Sequence, residues 1–273
     1  DQKLLHARTN KTLSDHDGRY IKRFIQPHIN KFPELQRATA QARMGVFISD
    51  THSLFMDPFY WESFLAFCED AEPDVIGLVA DHVDGSEIST HPHVPGFTTN
   101  LQLELDMFKA MVTEIRERVP ASTRIVLVGD NHFFDRLTRY LTQVSRALAG
   151  LRSLKIDALM GLDELDVELA MGGSFVSPTG QEDSRPYLRL WDRFNMTHGT
   201  KLGVNPALQE LRSWNTSGVS GHVHRDQIMR GPVAGLRRQI WMSLGSGVID
   251  EVAKYYVKGA GPAWSRAWGI IEM

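Results

Sequence analysis

Aspartates and histidines stand in short groups directly after apolar runs of the sequence. Asp50 and His52 follow the run 46–48 and are separated by one residue. In extended backbone, residues two positions apart point to the same side, so both side chains can reach one metal ion. A turn with a capping aspartate would show the same pair, so this pair alone does not decide between the two interpretations.

The same arrangement recurs further along the chain. A second apolar run, residues 74–80, leads into Asp81, and Asp84 follows three positions later. Carboxylates, imidazoles and a carboxamide together suit divalent ions such as Mn, Fe, Zn or Ni. No thiolate belongs to the set, so a closed structural zinc site is not expected. Further side chains with ligand atoms lie downstream, namely Asn131, His132, His198, His222 and His224.

Strands that end at a common edge are needed to bring these residues together. Short apolar runs with β-branched members fit a buried strand. They occur at residues 46–48, 74–80 and 124–128. Apolar residues at helical spacing occupy residues 59–69, 101–119 and 134–148, the second with Asn100 as its predicted cap. Strands alternating with helices predict an α/β architecture, in which reactive residues gather beyond the carboxyl ends of the strands.

The rest of the chain shows weaker patterns. Residues 85–100 and much of 151–187 predict loops, and His82, His91 and His93 are expected as loop or rim residues rather than ligands. The remaining pattern predicts a strand over residues 188–196, a helix over 204–214 and β-structure after 237, including 255–257.

Composition fits one large domain. The chain has 273 residues, of which 42% are hydrophobic, and it has one cysteine, Cys68. A disulfide framework is therefore not expected. A cytoplasmic location is expected. No apolar run approaches the roughly 20 residues of a membrane span, so no membrane association is expected.

The charge is unevenly distributed. Residues 1–43 contain nine Lys and Arg against four Asp and Glu, a net charge of +5 in a chain whose total is −3. We therefore expect a basic N-terminal extension over residues 1–43, followed by the domain over 44–273. The extension is interpreted either as a solvated segment or as an arm that meets a polyanion.

The ordered polar segments resemble the motifs of the calcineurin-like metallophosphoesterase superfamily. Its pattern runs Asp-x-His, Gly-Asp-x-x-Asp, Gly-Asn-His-Asp/Glu, a single His and Gly-His-x-His. The matching segments here appear in the same order over residues 46–224. They are Asp50-Thr-His52, Ala80-Asp81-His-Val-Asp84, Asp130-Asn131-His132-Phe133, His198 and Gly221-His222-Val-His224.

The resemblance implies a four-layer αββα sandwich, with two mixed β-sheets flanked by helices. It also implies a dinuclear centre, in which Asp81 bridges two metal ions. Mn is the favoured metal, and Fe, Zn, Ni or Mg are alternatives. Two ions about 3.5–4 Å apart would supply a hydroxide that attacks the phosphorus. By position, one ion is held by Asp50, His52, Asp81 and His224, and the other by Asp81, Asn131, His198 and His222.

Three further residues receive roles by position. His132 matches the general acid, which protonates the leaving oxygen. Asp84 is expected to orient a neighbouring group without binding metal. Arg225 is either a phosphate contact or an ordinary surface arginine.

The sequence also departs from the superfamily pattern. Ala80 and Asp130 replace glycines, so the turns there have to accommodate a Cβ. Phe133 replaces the usual acid after the catalytic histidine, so His132 needs another partner, for which Asp130 and Asp135 are candidates.

These features predict a metal-dependent phosphoesterase. Asn131, Arg136 and Tyr140, together with His198-Gly199 and Arg225, are similar to phosphoesterases of phages and prophages, which would place the protein in the host cytoplasm. This similarity favours a phosphodiester substrate, with a nucleotide or nucleic acid as partner. The alternatives are a phosphomonoesterase acting on proteins or metabolites and a metal-binding scaffold without turnover. The sequence does not predict the oligomeric state.

Overall fold

The computed structural model describes most of the chain from Arg43 onwards, and the predicted division into an N-terminal extension and a domain stays a prediction. His91 and His93 also lie outside the described residues. The described ranges are residues 43–90, 99–144, 146–171, 175–176, 182–183, 186–231, 239–256 and 264–273.

The first sheet has five strands in the order β12-β1-β2-β3-β4. Strands β1 to β4 are parallel, and β12 pairs antiparallel with β1. The parallel strands end at the same edge, which brings together the segments that follow them. The strands are β1 (Met44–Ile48), β2 (Val75–Leu78), β3 (Arg124–Val128), β4 (Val167–Ala170) and β12 (Gly269–Glu272).

The second sheet also has five strands and is also mixed, in the order β10-β11-β9-β8-β7. Its three central strands are parallel, and both outer strands pair antiparallel with them. The strands are β7 (Tyr187–Leu190), β8 (Phe194–Thr197), β9 (Ser217–Ser220), β10 (Gln227–Arg230) and β11 (Ile240–Ser243). A separate two-stranded ribbon consists of β5 (Phe175–Val176) and β6 (Glu182–Asp183).

Seven α-helices lie in the described ranges. The predicted cap of the longest helix is confirmed, because the Asn100 side chain accepts a hydrogen bond from the Leu103 N–H at 3.0 Å. The helices are α1 (Pro58–Ala71), α2 (Leu101–Arg118), α3 (Phe133–Val144), α4 (Arg146–Ala149), α5 (Ile156–Met160), α6 (Pro206–Trp214) and α7 (Asp250–Tyr256). No helix in these ranges is both long and apolar enough to cross a membrane.

Alternation along β1 shows how the layers form. Val46 and Ile48 pack against the helices on one side of the first sheet, including Phe64 of α1. Phe47 points the other way and stacks on Phe194 of the second sheet, with ring centroids 5.3 Å apart. Successive side chains of a strand point to opposite faces, so β1 is buried on both. A third cluster joins α6 to the second sheet. The predicted fold, two mixed sheets flanked by helices, is confirmed.

Two predicted strands were wrong. Residues 188–196 form a hairpin of β7 and β8 rather than one strand, because Trp191 and Asp192 take positive φ angles of 50° and 62° and reverse the chain. Residues 255 and 256 belong to α7, which has Asp250 and Glu251 in its first turn, where acidic side chains favour a helix.

Candidate metal centre

The first sheet supplies three buried polar residues from the segments after β1 and β2. Asp50, His52 and Asp81 have at most 2% of their surface exposed. Backbone hydrogen bonds join the two segments, because the Asp50 N–H donates to the Ala80 carbonyl and the His52 N–H donates to the Asp81 carbonyl. Adjacent parallel strands therefore place the three side chains in one buried region.

The second sheet supplies three histidines from the segments after β8 and β9. His198 directly follows β8, and His222 and His224 follow β9. The His222 N–H donates to both Asp50 carboxylate oxygens, at 3.1 and 3.0 Å. This backbone contact crosses from one sheet to the other, so the histidines of the second sheet face the aspartates of the first.

Five of the residues at this centre adopt left-handed backbone conformations. Positive φ angles occur at Asp50, His52, Asp81, His222 and His224, with values between 39° and 74°. Such conformations are uncommon for residues other than glycine, although Asp and His are enriched among the exceptions, and each costs on the order of 1 kcal/mol. Their concentration at one buried location is typical of functional sites, where surrounding contacts hold a strained backbone.

Gly221 explains how the centre accommodates the alanine that replaces a glycine. A Cβ at Gly221 would lie 2.8 Å from the Ala80 Cβ and 2.7 Å from Asp50 Oδ2. A Cβ atom essentially never approaches other non-bonded atoms this closely. The absence of a side chain at Gly221 therefore leaves room for Ala80 and for the Asp50 carboxylate.

The side chains form three groups, of which two share Asp81, while the third (His52, Asp84 and His132) shares His52 with the first. In each group, one ligand atom per residue lies within 4.8 Å of all the others. The shared carboxylate contacts His198 Nε2 at 3.4 Å and His222 Nδ1 at 3.7 Å. The first group is Asp50, His52, Asp81 and His224, and the second is Asp81, His198 and His222.

The residues of both groups fit divalent cations. His52 Nε2 and His224 Nε2 lie 3.3 Å apart, with Asp50 Oδ1 3.0 Å from the latter. Among the described residues, the buried atoms Asp81 Oδ1 and His222 Nδ1 have no hydrogen-bond partner. Buried polar atoms are normally paired, so oxygen and nitrogen atoms that converge without a hydrogen-bond partner fit the binding of a divalent cation.

Asp84 connects two histidines of the centre. Its Oδ1 lies 2.6 Å from His132 Nδ1 and 3.2 Å from His52 Nδ1. A carboxylate at Nδ1 holds the proton there and leaves Nε2 for other chemistry. The second nitrogen of His132, Nε2, lies 3.8 Å from Asp81 Oδ2. The partner that the sequence left open for His132 is therefore Asp84, and neither Asp130 nor Asp135 is needed for that role.

The segment after β3 departs from the simple motif. Asn131, the predicted ligand, is exposed, whereas the preceding Asp130 is 6% exposed. Asp130 Oδ1 accepts the N–H groups of Phe133 and Phe134 and so caps α3. The residue in place of the usual acid, Phe133, is fully buried in the core below the first sheet. The ligand role of Asn131 stays a prediction.

Arg225 and His82 have other contacts. The Arg225 side chain donates to the carbonyl oxygens of Leu202 and Gly203, at 3.3 and 2.9 Å, and so supports the loop after β8. A phosphate contact by this arginine stays a prediction. His82, expected as a loop or rim residue, is 1% exposed, and its Nδ1 lies 2.8 Å from Thr51 Oγ1. His82 therefore lies in the loop after β2, as expected, but this loop is buried, so His82 is not at an exposed rim.

Sequence reasoning did not identify Trp264. Its ring packs edge to face against His224, with centroids 4.1 Å apart. The next residue, Ser265, donates its N–H to the His224 carbonyl at 2.9 Å. Trp264 lies 40 positions after His224, in a segment without a recognisable motif. No sequence signal could therefore have linked the two residues.

Mutual charge interactions set the ionisation of the centre. Burial lowers the pKa of His52, but Asp84 and the other carboxylates outweigh burial and raise it to about 9. Burial also lowers the pKa of His198, but the interaction with Asp81 outweighs burial and raises this pKa to about 9. Burial and the Asp81 charge raise the pKa of Asp130 to about 8. The carboxyl pKa values of Asp50 and Asp81 lie below the usual range, because adjacent histidines outweigh burial.

Comparisons with known proteins give weak similarities. No protein-family model and no curated protein sequence matches the chain. One similar solved structure is a single mutant of Vps29 from Entamoeba histolytica, with 9% identity, 84% of each chain covered and a TM-score of 0.36. Another is YfcE, a phosphoesterase from E. coli, with 17% identity, 83% of this chain and 87% of that chain covered, and a TM-score of 0.33. Values this low do not establish a relationship, so the function has to be inferred from the site.

Proposed function

We propose that the protein is a metal-dependent phosphoesterase of the calcineurin-like metallophosphoesterase superfamily. The observation that carries the proposal is the pair of buried Asp/His groups that share Asp81. A carboxylate common to two groups suits two ions, and two-metal sites are used by phosphatases and nucleases. The ordered sequence motifs support the same assignment independently of the geometry.

In this proposal the two sheets divide the metal ligands between them. Bound divalent ions, with Mn favoured, would supply a nucleophilic water and neutralise the oxygens of the phosphoryl group. The first ion would be held by Asp50, His52, Asp81 and His224. The second would be held by Asp81, His198 and His222, with Asn131 added from the sequence motif.

His132 would act as the general acid. Its Nδ1 faces Asp84, and its Nε2 points towards Asp81 and the shared part of the centre. A proton on Nε2 can therefore pass to an oxygen that departs from a phosphoryl group held there. Asp84 would keep the ring in this orientation. The side chain of His132 is partly exposed, which leaves it accessible to a substrate.

A phosphodiester is the favoured substrate class, with a nucleotide or nucleic acid as its form. The support is the similarity to phage-type phosphoesterases around Asn131, Arg136 and Tyr140, and the positive charge of residues 1–43. A phosphomonoesterase acting on proteins or metabolites is the second candidate. It uses the same metal ligands, so the ligands do not separate the two substrate classes.

A substrate comparison tests the proposal. The full chain would be stripped of metal, reconstituted with Mn and assayed on bis(p-nitrophenyl) phosphate and p-nitrophenyl phosphate, with Asp81→Asn as the control. We expect metal-dependent turnover, faster on the diester and absent from the control. Faster monoester hydrolysis would select the phosphomonoesterase. Metal binding without turnover of either ester would instead indicate a binding scaffold.

A further inference from the structure

A buried glutamate contacts the backbone next to Asp84, the partner of His132. Glu104 of α2 is 1% exposed, and its Oε2 accepts the Gly85 N–H at 2.6 Å. Its Oε1 accepts the Ser86 hydroxyl at 3.3 Å. A buried carboxyl group is costly unless hydrogen bonds satisfy it, so these contacts account for its position in the core.

The contact at Gly85 fixes one particular peptide group. Gly85 directly follows Asp84 and takes a φ of +60°, a conformation that glycine adopts without strain. The N–H of the peptide that joins the two residues donates to Glu104, while its carbonyl oxygen accepts a hydrogen bond from Arg136 of α3. Side chains from two helices therefore hold opposite sides of the peptide that carries Asp84.

The second sheet shows a similar arrangement. Glu210 of α6 is also 1% exposed, and one carboxylate oxygen accepts the N–H groups of Thr200 and Lys201, at 2.7 and 3.2 Å. These residues follow His198 in the chain. In both sheets, then, a buried glutamate on an adjacent helix holds the backbone of a segment that carries a residue of the centre.

We propose that Glu104 is a positioning residue for His132, acting through Gly85 and Asp84. The inference rests on the proposed function, in which His132 is the general acid. Glu104 fixes the peptide after Asp84, and Asp84 Oδ1 fixes His132 at 2.6 Å. Small displacements of a catalytic group lower rates strongly, so loss of the Glu104 contacts weakens proton donation. His52 contacts the same Asp84 oxygen at 3.2 Å, but its backbone N–H also donates to the Asp81 carbonyl, so we expect metal binding to change less than proton donation.

Leaving-group dependence measures this effect. An alkyl phosphodiester needs protonation of its leaving oxygen, whereas a p-nitrophenyl diester does not. We expect Glu104→Ala in the Mn-loaded full chain to lower kcat on the alkyl diester about tenfold or more, and on the nitrophenyl diester by less than about twofold. Glu104→Gln keeps one oxygen acceptor and should restore part of the loss, and it also replaces the alanine variant if that variant does not fold.

Glu114→Gln is the matched control. Glu114 lies on the same helix and accepts the Trp61 indole N–H at 2.6 Å, so the change removes a similar charge away from the centre. We expect this variant to leave the ratio of the two rates unchanged. An equal fall on both diesters with loss of metal in the Glu104 variants would overturn the proposal in favour of a general structural role.

A second measurement does not depend on activity. In the metal-free protein, the proton between His132 Nδ1 and Asp84 should give a downfield NMR resonance. We expect the resonance to move upfield or broaden in Glu104→Gln and to stay in place in Glu114→Gln. An unchanged resonance would overturn the proposal. A shifted resonance with an unchanged ratio of rates would keep the positioning role and overturn the acid role of His132 in the proposed function.

Discussion

His132 Nδ1 lies 2.6 Å from Asp84 Oδ1, although the two residues are 48 positions apart in the chain. The same oxygen lies 3.2 Å from His52 Nδ1. One carboxylate therefore orients both a histidine of the first ligand group and the histidine proposed as the acid. In the proposed function, His52 is therefore a metal ligand and His132 is the acid. Substitution of a ligand and substitution of the acid should have different effects on the rates.

We expect His132→Ala to depend on the leaving group. General-acid catalysis is worth about 10²–10⁴-fold, so the variant should lose roughly that much on an alkyl ester such as a nucleotide. It should lose far less on a nitrophenyl ester, whose leaving group departs as the anion. Steady-state kinetics on the two substrates, with metal content measured in parallel, tests this.

His222→Ala provides the contrast for that experiment. His222 lies in the ligand group with Asp81 and His198, so its loss should impair binding of one ion and lower both rates alike. If His132→Ala also lowered both rates equally and reduced the metal content, His132 would be a ligand or a structural residue.

We expect two metal ions per chain and their joint loss in Asp81→Asn. Asp81 belongs to both ligand groups, and an amide in its place offers only one neutral oxygen. Elemental analysis after reconstitution with Mn would give the stoichiometry of both proteins. A single ion bound away from Asp81, even with metal in excess, would contradict this prediction.

Asn131 provides a separate test of the second ligand group. Asn131→Ala should reduce retention of one ion if the side chain is a ligand, but its exposure predicts a smaller loss than Asp81→Asn causes. Competition with a chelator would rank the variants. Unchanged metal affinity in Asn131→Ala would remove this residue from the ligand set.

The pKa values predict a pH-dependent stability of the metal-free protein. His52 and His198 have folded-state pKa values of about 9, above the usual 6.5. Their contribution to the free energy of unfolding is therefore fully present below pH 6.5 and is lost as the pH rises through about 9. Asp130 also lowers the free energy of unfolding as the pH rises, but it does so at lower pH. Its pKa is raised to about 8, because its ionisation is disfavoured in the folded state.

Urea unfolding at pH 6, 7.5 and 9 would measure this loss of stability. Metal ligation requires neutral imidazoles, so Mn binding should also release protons over the same range, detectable by calorimetry in buffers with different ionisation enthalpies. Stability that rises between pH 6.5 and 9 without metal would contradict the assignment of charged histidines.

The basic N-terminal extension makes its own prediction. If residues 1–43, with a net charge of +5, help to bind a polyanion, their deletion should weaken nucleic-acid binding and reduce its salt dependence. Turnover of small esters should persist. Binding titrations at several salt concentrations would show this, and an unchanged slope would indicate that the extension does not contact the polyanion.

Local patterns were sufficient to predict the framework of the centre. Asp50 and Asp81 were found because each follows an apolar strand, and such strands are recognisable from a few neighbouring residues. Their common edge follows from the parallel pairing of β1 and β2. The histidines of the second sheet depended on the family resemblance, because no local pattern links His198 to Asp81 across the core.

The remaining features depend on tertiary packing. Asp130 is buried and Asn131 exposed because the first caps α3, and a choice between adjacent residues of a turn is decided by that helix. Residues 255 and 256 have aromatic side chains that favour strands, yet α7 contains them. Glu104 lay within a helical pattern that predicted only a core, where a charged residue gives no sign of its partner.

The His222 N–H donates to Asp50 across the two sheets, and every proposed ion would have ligands from both. Separation of the two sheets would thus pull the metal ligands apart. Bound metal would therefore stabilise only the form in which the two sheets are packed together. Exchange of backbone amide protons in β1 and β9 should therefore slow together as the metal concentration rises. In thermodynamic terms, occupancy of the centre would be linked to the cooperativity of the whole sandwich, so the two halves would unfold as one unit.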